Sequence, residues 1–353
     1  MKVLYIGPLN YSTTTFHRML AIKSLGHELL PINTRPLSVD RREATLPQRI
    51  LRKIRGPRDL AGVNLKILQL LSKTVFDILW IDKGLTVYPE TLKLVKSINP
   101  KMLLVGYSPD DMLNPRNQTR AFLKGLPLYD YFFTTKSYGV RELEEIGAKK
   151  VIFVGNAFEP SVHHPYVVTA EDRRKYGGQV GFIGDYEADR AESMFYLAKN
   201  GIPVRIWGTN WRKNKFTHKN FLIEMRPLLG SDYAKAISCF DINLAFLRKI
   251  NRDLQTTRTM EIPACKGFML AERTGEHLQL FTEGVEAEYF SDNEELLAKV
   301  KFYLKNKKQR QKIALNGFNR AQSSGYSNLA RMSEIFEIIE RHIALVGKNR
   351  TDF

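Results

Sequence analysis

The feature that most constrains the fold of this chain is an alternation of short apolar runs with amphipathic segments. Runs of three to five mostly apolar residues recur through the first half, which is typical of parallel strands buried on both faces. These predicted strands are 3–6, 28–32, 78–81, 102–105, 131–133 and 151–154. Helical patterns separate them, at 16–25, 60–72, 89–98 and 138–146. Alternating strands and helices predict a doubly wound parallel sheet.

The same alternation begins again after the segment 156–168, in which two prolines interrupt the pattern. Such a break is typical of a linker between domains. Further strands are predicted at 180–183, 204–207, 242–246 and 268–270, and helices at 188–200, 233–238, 258–265, 294–306 and 308–321. The sequence therefore predicts an α/β protein with two doubly wound domains, residues 1–158 and 169–327.

The C-terminal segment 328–353 carries a single apolar stripe whose members are spaced three or four residues apart. They are Leu329, Met332, Phe336, Ile339, Ile343 and Val346. This spacing predicts a helix with one apolar face, which must pack against other apolar surface. We expect the helix to return to the first domain, although packing in any core would satisfy the same pattern.

The charge balance favours anionic partners. The 353 residues include 54 Lys and Arg against 37 Asp and Glu, a formal net charge of +17. Nucleotides, nucleic acid and acidic membrane surfaces all fit such an excess, and so does a solvated basic surface with no specific partner.

The two cysteines, Cys239 and Cys265, have no zinc-ligand spacing, so no metal site is predicted. Without an apolar stretch of ~20 residues to span a membrane, the chain is predicted to be cytoplasmic.

The segment 41–58 is unusually basic and looks like an insertion at about 38–60. Its seven basic residues are Arg41, Arg42, Arg49, Arg52, Lys53, Arg55 and Arg58. Leu46, Ile50 and Ile54 are spaced four residues apart, as expected for one face of a helix. A basic amphipathic helix can lie on the inner face of an anionic membrane or bind nucleic acid, or it can be a solvated helix without a partner.

Parallel sheets bind ligands beyond the carboxyl ends of their strands, which directs attention to two places in the first domain. Asp110 lies in the segment 107–111 (YSPDD), directly after a predicted buried strand. A carboxylate there can act as a general base, or it can make local hydrogen bonds in a turn. His17 lies on the first turn of a predicted helix after strand 3–6. It is a second base candidate, with a structural role as the alternative.

The segment 256–267 (TTRTMEIPACKG) is the best candidate binding site of the second domain. Thr257 lies at the predicted start of a helix, and Arg258 and Glu261 share one helical face because they are three residues apart. A helix N-terminus with an arginine suits a diphosphate, and an ionised carboxylate suits two neighbouring hydroxyls. An intrahelical salt bridge between Arg258 and Glu261 is the alternative.

Two loops that follow predicted strands of the second domain also fit a nucleotide site. Gly184 follows strand 180–183, and Arg190 lies on the next helix. The loop with Gly208 and Trp211 (GTNW) follows strand 204–207. Because both strands are parallel, both loops are expected at the same edge of the sheet.

Five segments of the second half resemble the CgeB-like glycosyltransferases, relatives of the group 1 transferases with the GT-B fold. They are 181–190 (GFIGDYEADR), 199–211, 242–246 (INLAF), 258–272 (RTMEIPACKGFMLAE) and 280–296. Weaker similarities in the first half include YIGP, 16–28 and YSPDD, and the resemblance is loose between 35 and 75. It implies two Rossmann-like domains facing a central cleft, the first for the acceptor and the second for the nucleotide sugar.

The resemblance also implies roles for individual residues. Glu261 corresponds to the glutamate that holds the ribose, and Arg258, or less directly Arg190, to the arginine that binds phosphate. Loops around Gly208, Trp211 and Gly230 correspond to those that hold the base. The family generally needs no metal, and no cofactor is expected beyond the donor substrate, a UDP- or GDP-linked sugar.

Related retaining enzymes carry a second glutamate seven or eight residues before the ribose-binding one, where this chain has Asp253 and Leu254. That departure leaves retention and inversion open; for an inverting enzyme Asp110 is the first candidate base and His17 the second. The sequence thus predicts a glycosyltransferase whose acceptor is a lipid-linked glycan, a polysaccharide or a protein. The alternatives are a non-catalytic nucleotide-sugar or glycan-binding module and a transferase that acts on nucleic acid.

Overall fold

The computed structural model describes residues 1–35 and 58–348 and divides the chain into two compact units. The first comprises Met1–Gly155 and the C-terminal residues from Leu329, and the second comprises Asn156–Asn328. Apart from Arg58, the predicted basic segment 41–58 lies outside the described residues.

The first unit contains a six-stranded parallel sheet with the strand order β2-β1-β3-β4-β5-β6. Its strands are β1 (Lys2–Gly7), β2 (Glu28–Asn33), β3 (Ile78–Asp82), β4 (Leu103–Ser108), β5 (Tyr131–Thr134) and β6 (Val151–Phe153). Its helices are α1 (Thr14–Ser24), α2 (Val63–Leu71), α3 (Pro89–Ile98), α4 (Arg120–Gly125) and α5 (Gly139–Glu145), together with a C-terminal helix introduced below.

Side chains of the buried strands alternate between two cores, one on each face of this sheet. In β1, Val3 and Tyr5 pack on one face, while Leu4 and Ile6 pack on the other. This alternation explains why the strands are apolar at successive positions, since neither face meets water.

The second unit contains another six-stranded parallel sheet, with the order β12-β11-β10-β7-β8-β9. Its strands are β7 (Gly178–Ile183), β8 (Val204–Trp207), β9 (Phe221–Ile223), β10 (Phe240–Ala245), β11 (Met269–Glu272) and β12 (Glu288–Phe290). Its helices are α6 (Ala170–Tyr176), α7 (Ala188–Lys199), α8 (Gly230–Cys239), α9 (Thr257–Ala264), α10 (Gly275–Leu280), α11 (Asn293–Lys305) and α12 (Lys307–Ser323).

The strand order of the second sheet locates its ligand-binding edge. Counted from β7, the order is the 3-2-1-4-5-6 arrangement of dinucleotide-binding domains. The direction of winding reverses between β7 and β10, so the loops after these two strands diverge and leave a crevice at the carboxyl edge.

The chain ends in α13 (Asn328–Lys348), which packs on the first sheet. Met332, Phe336 and Ile339 of the predicted apolar stripe are buried there, together with Ile335. Leu329 and Ile343 of the same stripe are exposed. The buried face is therefore shorter along the helix than the spacing predicted, and it also includes Ile335, which lies outside the stripe.

The structure confirms the predicted fold class, two doubly wound parallel sheets with flanking helices. Some short elements were not predicted, namely α4, α6, α10, β9 and β12. No helix in the part of the chain that the structure describes is both long and apolar enough to cross a bilayer.

Candidate functional site

Two arginines hold together the loops at the point where the second sheet reverses its winding. Arg258 of α9 donates its Nε–H to the carbonyl oxygen of Ile183, the last residue of β7, at 2.6 Å. Arg190 of α7 donates to the carbonyl oxygens of Asp185, at 3.3 Å, and Leu247, at 3.1 Å. Because these carbonyls follow β7 and β10, the arginines lie where the strand order predicts a ligand.

The electrostatics of this arginine pair favour an anion. Arg190 is 3% exposed, and burial, followed by the nearby charge of Arg258, lowers its pKa to about 10, which still leaves it protonated at neutral pH. Its Nε is buried without a hydrogen-bond partner among the described residues. The nearby carboxylate of Glu187 lies 3.1 Å from Arg190 and is shared with Arg248 at 2.8 Å. Glu187 is shared between two arginines, so it balances the charge of Arg190 only in part. A bound anion would supply further negative charge.

The start of α9 adds backbone donors beside Arg258. The helix begins at Thr257, and Thr259 Oγ1 accepts the N–H of Thr256 at 3.1 Å, which fixes the entry of the chain. An α-helix leaves the N–H groups of its first turn without intrahelical acceptors, and its dipole makes this end positive. Thr257 and Arg258 thus lie in a first turn suited to phosphate.

Glu261 lies one turn further along α9 and is 8% exposed. Its Oε2 accepts the hydroxyl of Tyr233 at 2.6 Å, and His163 Nε2 lies 3.8 Å from its Oε1. In the described parts of the chain Arg258 and Glu261 form no ion pair, so the predicted alternative of an intrahelical salt bridge is not what the structure contains. Both side chains keep capacity for a ligand.

Two glycines bring the loops after β7 and β8 against each other. A Cβ on Gly208 would lie 1.9 Å from the carbonyl oxygen of Gly184, and one on Gly184 would lie 2.8 Å from Arg258 Nη2. The same Gly184 carbonyl accepts the indole N–H of Trp211 at 2.9 Å. Trp211 is 1% exposed, so it supports this loop from within the core. Only glycine lets the two backbones and the guanidinium approach this closely.

Gly230 begins α8 with a φ of +56°, directly after the exposed Leu229. Glycine adopts this left-handed conformation without steric cost. The turn sets the start of the helix that carries Tyr233, the hydrogen-bond partner of Glu261.

Asp110 and His17, the predicted bases, both belong to the first unit. Asp110 follows β4, and its Oδ2 lies 2.5 Å from Nζ of Lys83, which follows the neighbouring β3. Lys83 has a φ of +69°, an unusual conformation for a lysine. His17 lies on α1 and is 7% exposed. The structure thus puts Asp110 in an ion pair at the carboxyl edge of the first sheet.

A buried ion pair next to His17 was not predicted. Arg18 donates through Nε and Nη2 to the two carboxylate oxygens of Asp82, both at 2.9 Å. The Arg18 guanidinium also lies 4.2 Å from the centre of the Tyr107 ring. Arg18 and Asp82 are 64 residues apart in the chain, and only the pairing of β1 with β3 brings them together.

The support of Glu261 was also missed. Tyr233 falls within a predicted helix and His163 within the predicted linker, and no sequence spacing relates either of them to Glu261. Asp253, which lies where related retaining enzymes carry a second glutamate, is 8% exposed and accepts the amide N–H of Asn251 at 2.8 Å. Among the described residues no group of three His, Cys, Asp or Glu side chains is arranged to hold a metal ion.

Residues 190–337 match a family model described as "Glycosyl transferase-like". The matched part includes Arg190, Tyr233, Arg258 and Glu261. No curated protein sequence gives a significant match to the chain.

Several solved structures resemble the chain over nearly its whole length. HepE of Anabaena in complex with UDP has a TM-score of 0.63 at 12% identity, over 97% of this chain and 100% of that one. Sucrose-phosphate synthase from Thermosynechococcus elongatus has a TM-score of 0.65 at 11% identity, over 98% and 100%. An alpha-glucosyltransferase in complex with UDP-glucose and DNA containing an abasic site has a TM-score of 0.64 at 14% identity, over 96% and 99%. The chain therefore has the GT-B fold of glycosyltransferases.

Proposed function

We propose that this protein is a glycosyltransferase that moves a sugar from a nucleoside-diphosphate sugar to an acceptor. The observation that supports this most strongly is the position of Arg258 and Glu261. Both lie within the part that matches the glycosyl transferase-like model. Arg258 lies in the first turn of α9, beside the point where a Rossmann-like sheet reverses its winding, and Glu261 lies one turn further along the helix. This is the edge at which such sheets bind nucleotides.

In this proposal different residues of the second unit bind the diphosphate, the ribose and the base of the donor. The diphosphate contacts Arg258 and the first turn of α9 at Thr257, with the buried Arg190 behind them. Glu261 accepts hydrogen bonds from the ribose hydroxyls, as an ionised carboxylate can. The loops at Gly208 and Gly230, with Gly184 beside Arg258, hold the base, and Trp211 supports them. UDP is the first nucleotide to test because the HepE structure contains it, and GDP is the second.

The chemical step follows from the same groups. Negative charge develops on the leaving diphosphate, and the arginine and helix dipole are already oriented to stabilise it. We propose that they do so without a metal ion and that the transferred group is a hexose. Asp110 is the proposed base for an inverting reaction, and His17 is the second candidate.

A binding and turnover experiment tests the proposal. Wild-type protein is screened by thermal shift against UDP, GDP, ADP and UDP-glucose, because a ligand of the folded state raises the melting temperature. Donor hydrolysis or transfer is then compared among wild type, Glu261→Ala and Asp110→Asn. Loss of activity in the variants supports the assigned roles, and wild-type rates in both refute them. Nucleotide binding with no turnover of any donor would favour a binding module.

Nucleic acid is the second candidate acceptor, ranked below a lipid-linked glycan, a polysaccharide or a protein. It is favoured by the net charge of +17 and by the resemblance to a glucosyltransferase crystallised with DNA. If it is correct, binding to duplex DNA falls steeply as salt rises, because phosphate contacts release counterions. Activity on a non-nucleic-acid acceptor that does not change with salt would oppose it.

The remaining assignments are also proposals. The segments quoted above support a relationship to the CgeB-like group. Cys239 and Cys265 are free and buried, which suits a cytoplasmic location. Peripheral contact with the inner membrane face is proposed for segment 41–58, and binding to anionic vesicles with that segment neutralised would test it.

A further inference from the structure

The carboxylate of Glu261 is held by a neutral partner rather than by a cation. Tyr233 donates its hydroxyl to Oε2 at 2.6 Å, and burial, followed by the charge of Glu261, raises the pKa of Tyr233 well above its usual value. The phenol therefore stays protonated and remains a donor at neutral pH. A tyrosine orients the carboxylate without placing a positive charge beside it, and it leaves most of the acceptor capacity of Glu261 for a ligand.

His163 approaches the other carboxylate oxygen with a defined tautomer. The backbone N–H of Glu159 donates to His163 Nδ1 at 2.9 Å, so this nitrogen carries no proton, and the hydrogen-bond pattern assigns the proton of the neutral ring to Nε2. Nε2 lies 3.8 Å from Glu261 Oε1. Burial lowers the pKa of His163, although the charge of Glu261 acts to raise it. The lowered pKa keeps the ring neutral. His163 therefore places an uncharged Nε2–H group 3.8 Å from Oε1.

The 3.8 Å between His163 Nε2 and Glu261 Oε1 is longer than a hydrogen bond, so the two oxygens of the Glu261 carboxylate differ in their hydrogen bonding. Oε2 is engaged by Tyr233, while no group in the described ranges donates a hydrogen bond to Oε1. The rings of His163 and Tyr233 also contact each other edge to face, with centroids 5.7 Å apart. Each partner thus limits the movement of the other, and together they restrict the rotamers of Glu261.

We propose that Tyr233 and His163 are positioning residues that fix Glu261 so that Oε1 receives the 2′- and 3′-hydroxyls of the donor ribose. The proposal rests on the nucleotide-sugar function above and adds a prediction of specificity. A carboxylate held in its binding rotamer loses less conformational freedom when the ligand arrives. Ribonucleotides are therefore favoured over nucleotides that lack these hydroxyls, and this preference depends on Tyr233.

The test measures binding of UDP and of 2′,3′-dideoxy-UDP by calorimetry. In Tyr233→Phe we expect UDP affinity to fall about tenfold, because ordering a side chain that is no longer held, here that of Glu261, costs up to about this factor on binding. The affinity for dideoxy-UDP is expected to stay within about twofold of wild type. Tyr176→Phe is the matched control, because Tyr176 donates to the carboxylate of Asp232 at 2.7 Å, on the helix that carries Tyr233. Its affinity for UDP is expected to equal that of wild type.

The outcomes separate the positioning role from the proposed function. Wild type that binds neither UDP nor GDP overturns both. UDP binding that is unchanged in Tyr233→Phe, or that weakens equally for UDP and dideoxy-UDP, overturns the positioning role alone. If Tyr233→Phe does not fold, His163→Gln and His163→Leu replace it. We expect Gln, which keeps an N–H donor, to retain UDP affinity and Leu to lose it, and equal affinities would overturn the role.

Discussion

Replacing Arg258 by methionine separates binding from stability. In the free protein the change removes one hydrogen bond, from Nε to the Ile183 carbonyl at 2.6 Å, which contributes about 1.5–3 kcal/mol because the donor is charged. It also removes a positive charge that lowers the pKa of Arg190, which relieves repulsion. The second effect offsets part of the first, so the free energy of unfolding is expected to fall by less than about 3 kcal/mol.

Nucleotide binding is weakened separately from this loss, because the variant lacks the guanidinium that is proposed to contact the diphosphate. A hydrogen bond to a charged group contributes about 1.5–3 kcal/mol, so UDP affinity is expected to fall about 10- to 150-fold. At a UDP concentration 100 times the wild-type Kd, UDP stabilises wild type by about 2.7 kcal/mol and the variant by only about 0.3–1.4 kcal/mol. Calorimetry gives the affinities, and thermal unfolding with and without UDP gives the stabilisation.

Arg320→Met is a matched control in the same unit. Arg320 also donates Nε–H to a backbone carbonyl, that of Leu280 at 3.2 Å, and its guanidinium lies 6.0 Å from the Tyr326 ring. The corresponding distance for Arg258 is 5.7 Å, to the Phe182 ring. The control removes the same charge, so an equal loss of UDP affinity in both variants would show a general charge effect and refute the role of Arg258.

Three further predictions follow from the site and its surroundings. Asp110→Asn should lower transfer at least about 100-fold, the usual contribution of a general base, and leave UDP affinity unchanged; unaltered transfer would exclude Asp110 as the base. Gly208→Ala should lower the free energy of unfolding by about 3 kcal/mol and the melting temperature by roughly 6–12 °C, because its Cβ meets a backbone oxygen. Gly275→Ala, with open space around its Cβ, should leave the melting temperature unchanged. Burial lowers the pKa of His163 and His277, so the unfolded chain binds more protons below about pH 6.5, and stability should fall as the pH drops from 7.5 to 5.5. Urea unfolding should show a smaller fall in His163→Gln, and an identical fall would contradict this assignment.

The sequence predicts the sheets well for a physical reason. A strand such as β3, with every residue buried, reads as an uninterrupted apolar run. Strands β9 and β12 were missed, although β6, which is equally short, was predicted; three residues are too few to show a period. The strand order is not visible in the pattern either, and it was this order that located the reversal between β7 and β10.

The same physical limit applies to the candidate site. Arg258 and Glu261 can be identified because they are close in sequence and share a helical face. Tyr233 lies 28 residues from Glu261, and Arg18 lies 64 from Asp82, so their contacts depend on tertiary packing alone. Trp211 shows a further limit. The sequence places it in a loop that corresponds to one holding the base, but only the structure shows that its side chain is buried.

A crystal structure with UDP tests the central claim most directly. We predict that the diphosphate lies within hydrogen-bond distance of the Arg258 guanidinium and the first-turn N–H groups of α9, with the ribose hydroxyls on Glu261. UDP bound with its diphosphate away from Arg258, or with its ribose turned away from Glu261, would contradict the account.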